Sequence, residues 1–261
     1  MLKNVKKYSI LFCSVETFVC KENESYCKEC CNNCCEECCN NCCEEDIKCG
    51  DKNEKWKNEN VKNVNKKWKG ENKREWNWIK FLSGEEIQDK IFKFKSCEEF
   101  RKASDDDLES HHDYIQVVFP NLEQSGYANQ DLYLNKNLEK WKELMQDEEL
   151  RLKIQKNLKL NLIRILKFFD FEVTLGENSE ITKLVAKKDS VVFKPWNHNS
   201  LRLTRVLNCL KIFGLDNEYN LIINSISSNN EIMTKIQKNS TLKKSYEYWI
   251  KSKETNCLFP K

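Results

Sequence analysis

The apolar residues between Glu149 and Phe169 recur at the spacing of an α-helix. A half-buried strand would alternate with a period of two, whereas here the apolar positions stand three or four apart. They are Leu150, Ile154, Leu158, Leu162, Ile165, Leu166 and Phe169, with Leu160, Ile163 and Phe168 beside them. A stripe this wide is typical of a helix covered on more than one side, so the segment predicts the central helix of an all-α domain.

Shorter apolar patterns predict further helices on both sides of this one. Only 6 Gly and 3 Pro occur in 261 residues, which argues against an all-β fold because each hairpin needs turn residues. Residues 172–197 are looser and predict an irregular or β-hairpin insert. The other expected helices cover 76–82, 108–119, 138–145, 199–213, 217–227, 230–236 and 241–251. Asp105, Asp106 and Asp107 precede the second of these and Pro120 follows it; Asn197 or Asn199 is expected to cap the 199–213 helix, and Gly214 to end it.

Composition divides the chain into four parts. Residues 1–20 place lysines before an apolar stretch, the order of a signal peptide, but Glu16 interrupts the stretch and no cleavage site follows, so secretion is not expected. Residues 21–75 form a low-complexity arm, rich in Cys, Asn and Lys, that is expected to be disordered or locally helical. Residues 76–252 form the single compact multi-helix domain, and 253–261 a tail. No apolar run is long enough for a membrane span.

Paired cysteines recur every four residues in the arm, at 30/31, 34/35, 38/39 and 42/43. Repeat expansion without a dedicated role is the first interpretation. Lipidation of these cysteines is the second, and it predicts peripheral membrane association. Zinc binding is the third. Cys-x-x-Cys recurs in the arm, but a structural zinc site normally pairs two such elements across a separating stretch, whereas this repeat is unbroken. A disulfide framework would need an oxidising compartment.

The charges are balanced, with 44 basic and 41 acidic residues and a formal net charge of +3. A nucleic-acid-binding protein usually concentrates basic residues, so nucleic acid is not an expected partner.

Two segments stand out as motifs, and we call them the signature segments. The first, 112–125, is HDYIQVVFPNLEQS, and the second, 196–210, is WNHNSLRLTRVLNCL. They resemble the H-x-Y-I-Q-W-L-F-P and H-N-x-L-R-I-T-R-I-L blocks of the opioid growth factor receptor family. Residues 166–169 resemble its L-x-F-Y element and 81–84 its F-L-x-G opening, so the resemblance covers roughly 76–225. Val117 replaces the family's tryptophan, and Phe169 its tyrosine.

The resemblance implies a helical domain without known catalytic activity. Named vertebrate members are described as receptors for an enkephalin pentapeptide that are associated with the nuclear envelope and restrain growth. The expectation is therefore an intracellular, receptor-like module with a peptide or protein ligand, no cofactor, and association with a membrane or the nuclear envelope.

The two signature helices are expected to pack together, with a candidate binding site in the cleft between them. Arg202 or Arg205 would pair with Asp113 or Gln116, because the planar guanidinium meets a carboxylate with two hydrogen bonds. Such arginines either brace the helices, which is the favoured interpretation, or form an anion pocket. The candidate binding residues are His112, Asp113, Tyr114, Gln116, Trp196, His198, Asn199, Arg202 and Arg205.

Two alternatives remain open. One is a metal-dependent enzyme that uses His111, His112, Asp113 and His198. Adjacent histidines on a helix point about 100° apart, however, so no metal site is predicted. The sequence also lacks the usual glycine-rich and nucleophile motifs, and Cys209 lies on the apolar side of its helix. The other alternative is a scaffold tethered to a membrane by its arm.

Overall fold

The computed structural model describes residues 73–88, 92–125, 132–195, 197–255 and 257. Within these ranges the chain forms ten α-helices and a two-stranded antiparallel sheet, so the predicted all-α fold with a hairpin insert is confirmed. The helices are α1 Lys73–Ser83, α2 Cys97–Lys102, α3 Asp105–Ser110, α4 Tyr114–Val118, α5 Leu138–Leu144, α6 Glu148–Phe168, α7 His198–Ile212, α8 Asp216–Ser227, α9 Asn230–Lys238 and α10 Ser240–Lys251. The strands are β1 Phe171–Leu175 and β2 Ile181–Ala186, and 3-10 turns cover Leu134–Asn137, Val191–Phe193 and Ser252–Glu254. The predicted segment 1–20 and residues 21–72 of the predicted arm 21–75 lie outside the described residues, and residues 73–75 of that arm are the first turn of α1.

The long helix α6 is central, as its wide apolar stripe predicts. It packs against α1, α2 and β1, and Ile154, Leu158 and Leu162 are fully buried. In the hairpin, Phe171 pairs with Ala186, and β2 lies against α8. Among the described helices, none has both the length and the apolar character that a bilayer span requires.

The ends of α7 follow the capping residues expected from the sequence. The side chain of Asn197 accepts a hydrogen bond from the backbone N–H of Asn199. At the other end, Gly214 has a φ of +69°, and the N–H of Leu215 donates to Leu210 O at 2.8 Å while that of Gly214 donates to Lys211 O at 3.2 Å. These two bonds form a Schellman motif, which satisfies the last carbonyls of the helix.

The single helix predicted over 108–119 is wrong. The chain forms α3 and α4 instead, separated by residues 111–113. Ser104 caps α3 in a capping box with Asp107, so the helix begins before Leu108, and His111 ends it in an extended conformation. The His111 carbonyl accepts a hydrogen bond from the side chain of Arg202. A tertiary contact therefore occupies a carbonyl that a continuous helix would have bonded to residue 115.

Two tryptophans, one near each end of the domain, hydrogen-bond to the signature segments. Trp78 in α1 donates its indole N–H to Val117 O at 2.8 Å and packs edge-on against Trp141. Trp249 in α10 donates its indole N–H to Ser200 O at 3.1 Å. Both indoles are buried, so each bond satisfies a donor and an acceptor that water does not reach.

Candidate functional site

The two signature segments meet directly, as predicted. Asn121 Nδ2 donates to the backbone carbonyl of Arg205 at 3.0 Å, and also to Phe119 O at 3.1 Å. Arg202 Nη2 in turn donates to His111 O at 3.1 Å. The first segment thus bonds the backbone of the second through Asn121, and Arg202 bonds the backbone of the residue just before the first segment, which fixes their relative position.

Arg202 is the centre of this contact and is only 4% exposed. Its Nη1 donates to Asn199 Oδ1 at 2.9 Å and lies 3.5 Å from Glu109 Oε2. Its Nη2 also donates to His112 Nδ1 at 2.9 Å. Since Nδ1 is the acceptor, the ring carries its proton on Nε2 in this arrangement.

Aromatic rings enclose the same guanidinium. The Arg202 Cζ lies 5.2 Å from the ring centroid of Tyr114 and 5.9 Å from that of Phe168. A guanidinium over an aromatic face is attracted by the ring's negative face. Tyr114 is itself buried, and burial raises the pKa of its hydroxyl above the ordinary value. Arg202 is therefore held by hydrogen bonds at its edge and by rings around it.

Glu109, rather than Asp113, is the acid that faces Arg202, and sequence reasoning missed it. Its Oε2 also accepts from Asn199 Nδ2 at 3.2 Å. Residues 109 and 113 would share one face of a continuous helix, so the periodicity alone could not choose between them. The break at 111–113 decides the choice: Glu109 stays on α3, while Asp113 becomes the residue before α4.

His112 and His198 form the surface side of the contact. Their ring centroids are 4.9 Å apart in an edge-on arrangement. His198 Nε2 lies 3.2 Å from Glu109 Oε1, close but not aligned as a hydrogen bond. Burial, followed by the nearby positive charge of Arg202, lowers the pKa of His198 from its usual value, although Glu109 opposes the shift.

Arg205 differs from Arg202. Its Nε and Nη2 are buried and have no hydrogen-bond partner among the described residues. The predicted pairs of Arg202 or Arg205 with Asp113 or Gln116 are therefore wrong: Gln116 donates to Ser125 Oγ at 2.7 Å instead. Burial lowers the pKa of the Arg205 guanidinium from its usual value.

The candidate residues divide between the interior and the surface. Tyr114, Gln116, Asn199 and Arg202 are buried. His112 is exposed, and the remaining described candidates, Asp113, His198 and Arg205, are half-buried. Trp196 lies outside the described residues.

The described chain offers little for metal or nucleophilic chemistry near this contact. No three His, Cys, Asp or Glu side chains within the described ranges are grouped to hold a metal ion. Cys209 is fully buried, as predicted. An open cavity of about 670 Å³ lies elsewhere, between Lys188 and α9, and one of about 360 Å³ lies beside Gly214.

Comparison with known families gives one match. The family model described as the opioid growth factor receptor conserved region matches residues 70–256. The chain belongs to the opioid growth factor receptor family. No curated protein and no solved structure shows significant similarity to it.

The match confirms the family resemblance of the signature segments. Two positions, Val117 and Phe169, depart from the motifs that the sequence resembles. Val117 and Phe169 are both buried, so at these positions the family's larger or more polar side chain is exchanged within the core. Neither exchange alters a side chain on the surface of the signature contact.

Proposed function

We propose that this domain is a receptor-like, non-enzymatic binding module for a peptide, and that its site is the outer side of the contact between the signature segments. The observation that carries the proposal is that both segments present side chains at one surface. His112 from the first and His198 from the second face each other there.

The outer row of α7 extends this surface with an apolar contact. His198, Leu201, Arg205 and Asn208 follow the three- and four-residue spacing of one helix face. Leu201 is 56% exposed, the highest value among the large apolar side chains of the described residues. An exposed leucine flanked by polar groups suits a peptide, which offers apolar side chains and backbone hydrogen-bonding groups together.

The buried layer beneath the surface favours recognition over catalysis. Arg202 and Asn199 are buried and bond to each other; both also contact Glu109, whose side chain is about half exposed, and together they hold the two segments in register. Polar groups that satisfy each other in the interior fix a surface before a ligand arrives, which reduces the entropy lost on binding.

A displayed library of random peptides, panned on the full chain, tests the proposal. We expect wild-type protein to enrich peptides that bind Leu201→Asp and His198→Asp at least about tenfold more weakly, since a charge in an apolar contact disfavours binding by roughly 1.4 kcal/mol or more. The enkephalin pentapeptide is the first soluble probe, because the family's name points to it.

The matched control is Leu152→Asp, which alters an exposed leucine on α6 and should leave binding unchanged. Enrichment of no peptide, or equal binding by the Leu201 and Leu152 variants, would contradict the proposal.

A further inference from the structure

We infer that Arg205 binds an oxyanion of the ligand, a carboxylate or a phosphate group. The inference deepens the proposed function and rests on it for the nature of the larger ligand. It names the chemical group that the outer row of α7 recognises.

The first observation is a charged group with buried donors and no acceptor. Arginine stays protonated at neutral pH, and Nε and Nη2 of Arg205 lack hydrogen-bond partners within the described part of the chain. Buried polar groups are normally bonded, and an unpaired buried charge is strongly unfavourable. An acceptor supplied by a ligand would remove this penalty.

The second observation is the charge around Arg205. Among the described residues, the titratable neighbour that perturbs the Arg205 pKa is Cys209, four residues later on α7. Burial raises the pKa of the Cys209 thiol well above its usual value, so the thiol is neutral and supplies no counter-charge. Glu109, the acid of this region, is bonded to Asn199 and lies against Arg202.

The third observation is geometric. Nε and Nη2 lie on the same edge of a guanidinium, and this edge can give two parallel hydrogen bonds to the two oxygens of a carboxylate or phosphate. The residue as a whole is half-buried, whereas its Nε and Nη2 atoms are buried, so an oxyanion bonds to this edge after the guanidinium turns toward the surface. Arg205 lies one helical turn from Leu201, within the outer row.

Small oxyanions test the site directly in the full chain. We expect acetate or inorganic phosphate to shift one arginine Nε–Hε resonance saturably, and that resonance to be missing from the spectrum of Arg205→Met. Chloride at matched ionic strength should not shift it. Saturation by acetate alone identifies a carboxylate site, and saturation by phosphate alone a phosphate site.

Arg151→Met is the matched control, because Arg151 already donates to Met145 O; this variant should keep the response. The absence of any shift in the Arg205 resonance, or an equal shift with chloride, would overturn the inference.

Peptides selected by the wild-type chain separate this inference from the proposed function. Arg205→Met should bind them about tenfold to a hundredfold more weakly, the loss expected for a hydrogen bond to a charged group. Equal binding would overturn the oxyanion site and leave the peptide function standing. If no peptide binds but acetate or phosphate still acts through Arg205, the peptide function fails and the oxyanion site stands.

Discussion

Arg202 and Arg205 lie three residues apart on α7, yet their surroundings differ completely. Arg202 is buried among a carboxylate, an amide, a carbonyl, an imidazole and two aromatic rings. Arg205 has two buried donors for which the described residues provide no partner. The same side chain thus stabilises the contact at one position and is available to a ligand at the other. Of the four predictions that follow, the first three test this difference and the fourth tests the histidine beside it.

The largest effect is expected for Arg202→Met. The change leaves Asn199 Oδ1 and His111 O without their donor, and hydrogen bonds to a charged group contribute about 1.5–3 kcal/mol each. We expect the free energy of unfolding to fall by about 3 kcal/mol in urea titrations followed by circular dichroism.

Arg151→Met is the control for this loss, because within the described part of the chain the Arg151 side chain makes one hydrogen bond, to Met145 O, and a longer 4.0 Å contact with Glu148. It should lose about 1 kcal/mol. If the two variants were equally stable, Arg202 would not be a brace.

The next effect is that of Arg202→Lys, which keeps the charge and removes the planar fork. A lysine ammonium cannot reproduce the in-plane hydrogen bonds that Nη1 and Nη2 give to separate acceptors, so we expect a loss of about 2 kcal/mol. Arg205→Lys should change the free energy of unfolding little, since without a ligand Nε and Nη2 of Arg205 make no hydrogen bond to the described residues. Urea unfolding titrations of both variants measure this contrast. Equal losses of stability would contradict the assigned difference between Arg202 and Arg205.

A smaller effect of opposite sign is expected for Arg205→Met. Removing a charge whose Nε and Nη2 donors are buried without partners among the described residues should raise the free energy of unfolding by about 1 kcal/mol. The measurement requires a buffer free of carboxylates and phosphate, because either would stabilise the wild-type chain by binding. A loss of stability in such a buffer would show that Arg205 has a structural partner.

The smallest effect concerns His198. Its pKa is lowered in the folded chain, so below the unfolded value near 6.5 the unfolded state binds more protons and the fold loses stability. The loss grows as pH falls from that value through the lowered pKa of the folded state, and is complete below it. The side chain is 42% exposed, so solvent screening keeps the effect small.

Urea midpoints measured from pH 7.5 to pH 5 in wild type and His198→Gln isolate this contribution. The wild-type chain should lose more stability than the variant on acidification. A smaller loss in the wild type would reverse the assigned direction of the pKa shift.

Local patterns in the sequence were sufficient for most of the helices and for the ends of α7. The apolar stripe of α6 and the caps at Asn197 and Gly214 depend on neighbours within a few positions, and the structure follows them. At the break between α3 and α4, by contrast, the His111 carbonyl bonds to Arg202, about 90 residues away in sequence. No local pattern carries that contact.

The candidate site shows the same division. The meeting of the two signature segments was predicted from polar side chains on one that need partners and arginines on the other, and the structure confirms it. The pairing within it was not predictable, because Glu109 and Asp113 are equivalent on an unbroken helix and only the tertiary break separates them. Tertiary packing likewise decides that Arg202, and not Arg205, finds hydrogen-bond partners for its guanidinium among the described residues.

The indole bonds of Trp78 and Trp249 have a practical consequence. Each anchors a backbone carbonyl of a different signature segment, and the two tryptophans stand near opposite termini of the domain. A shortened protein that lacks α1 or α10 would lose one of these hydrogen bonds. The backbone under the proposed binding surface would then shift, although the protein would still contain every side chain of that surface. Loss of activity after trimming at either end would consequently say nothing about direct contact between the trimmed residues and a ligand.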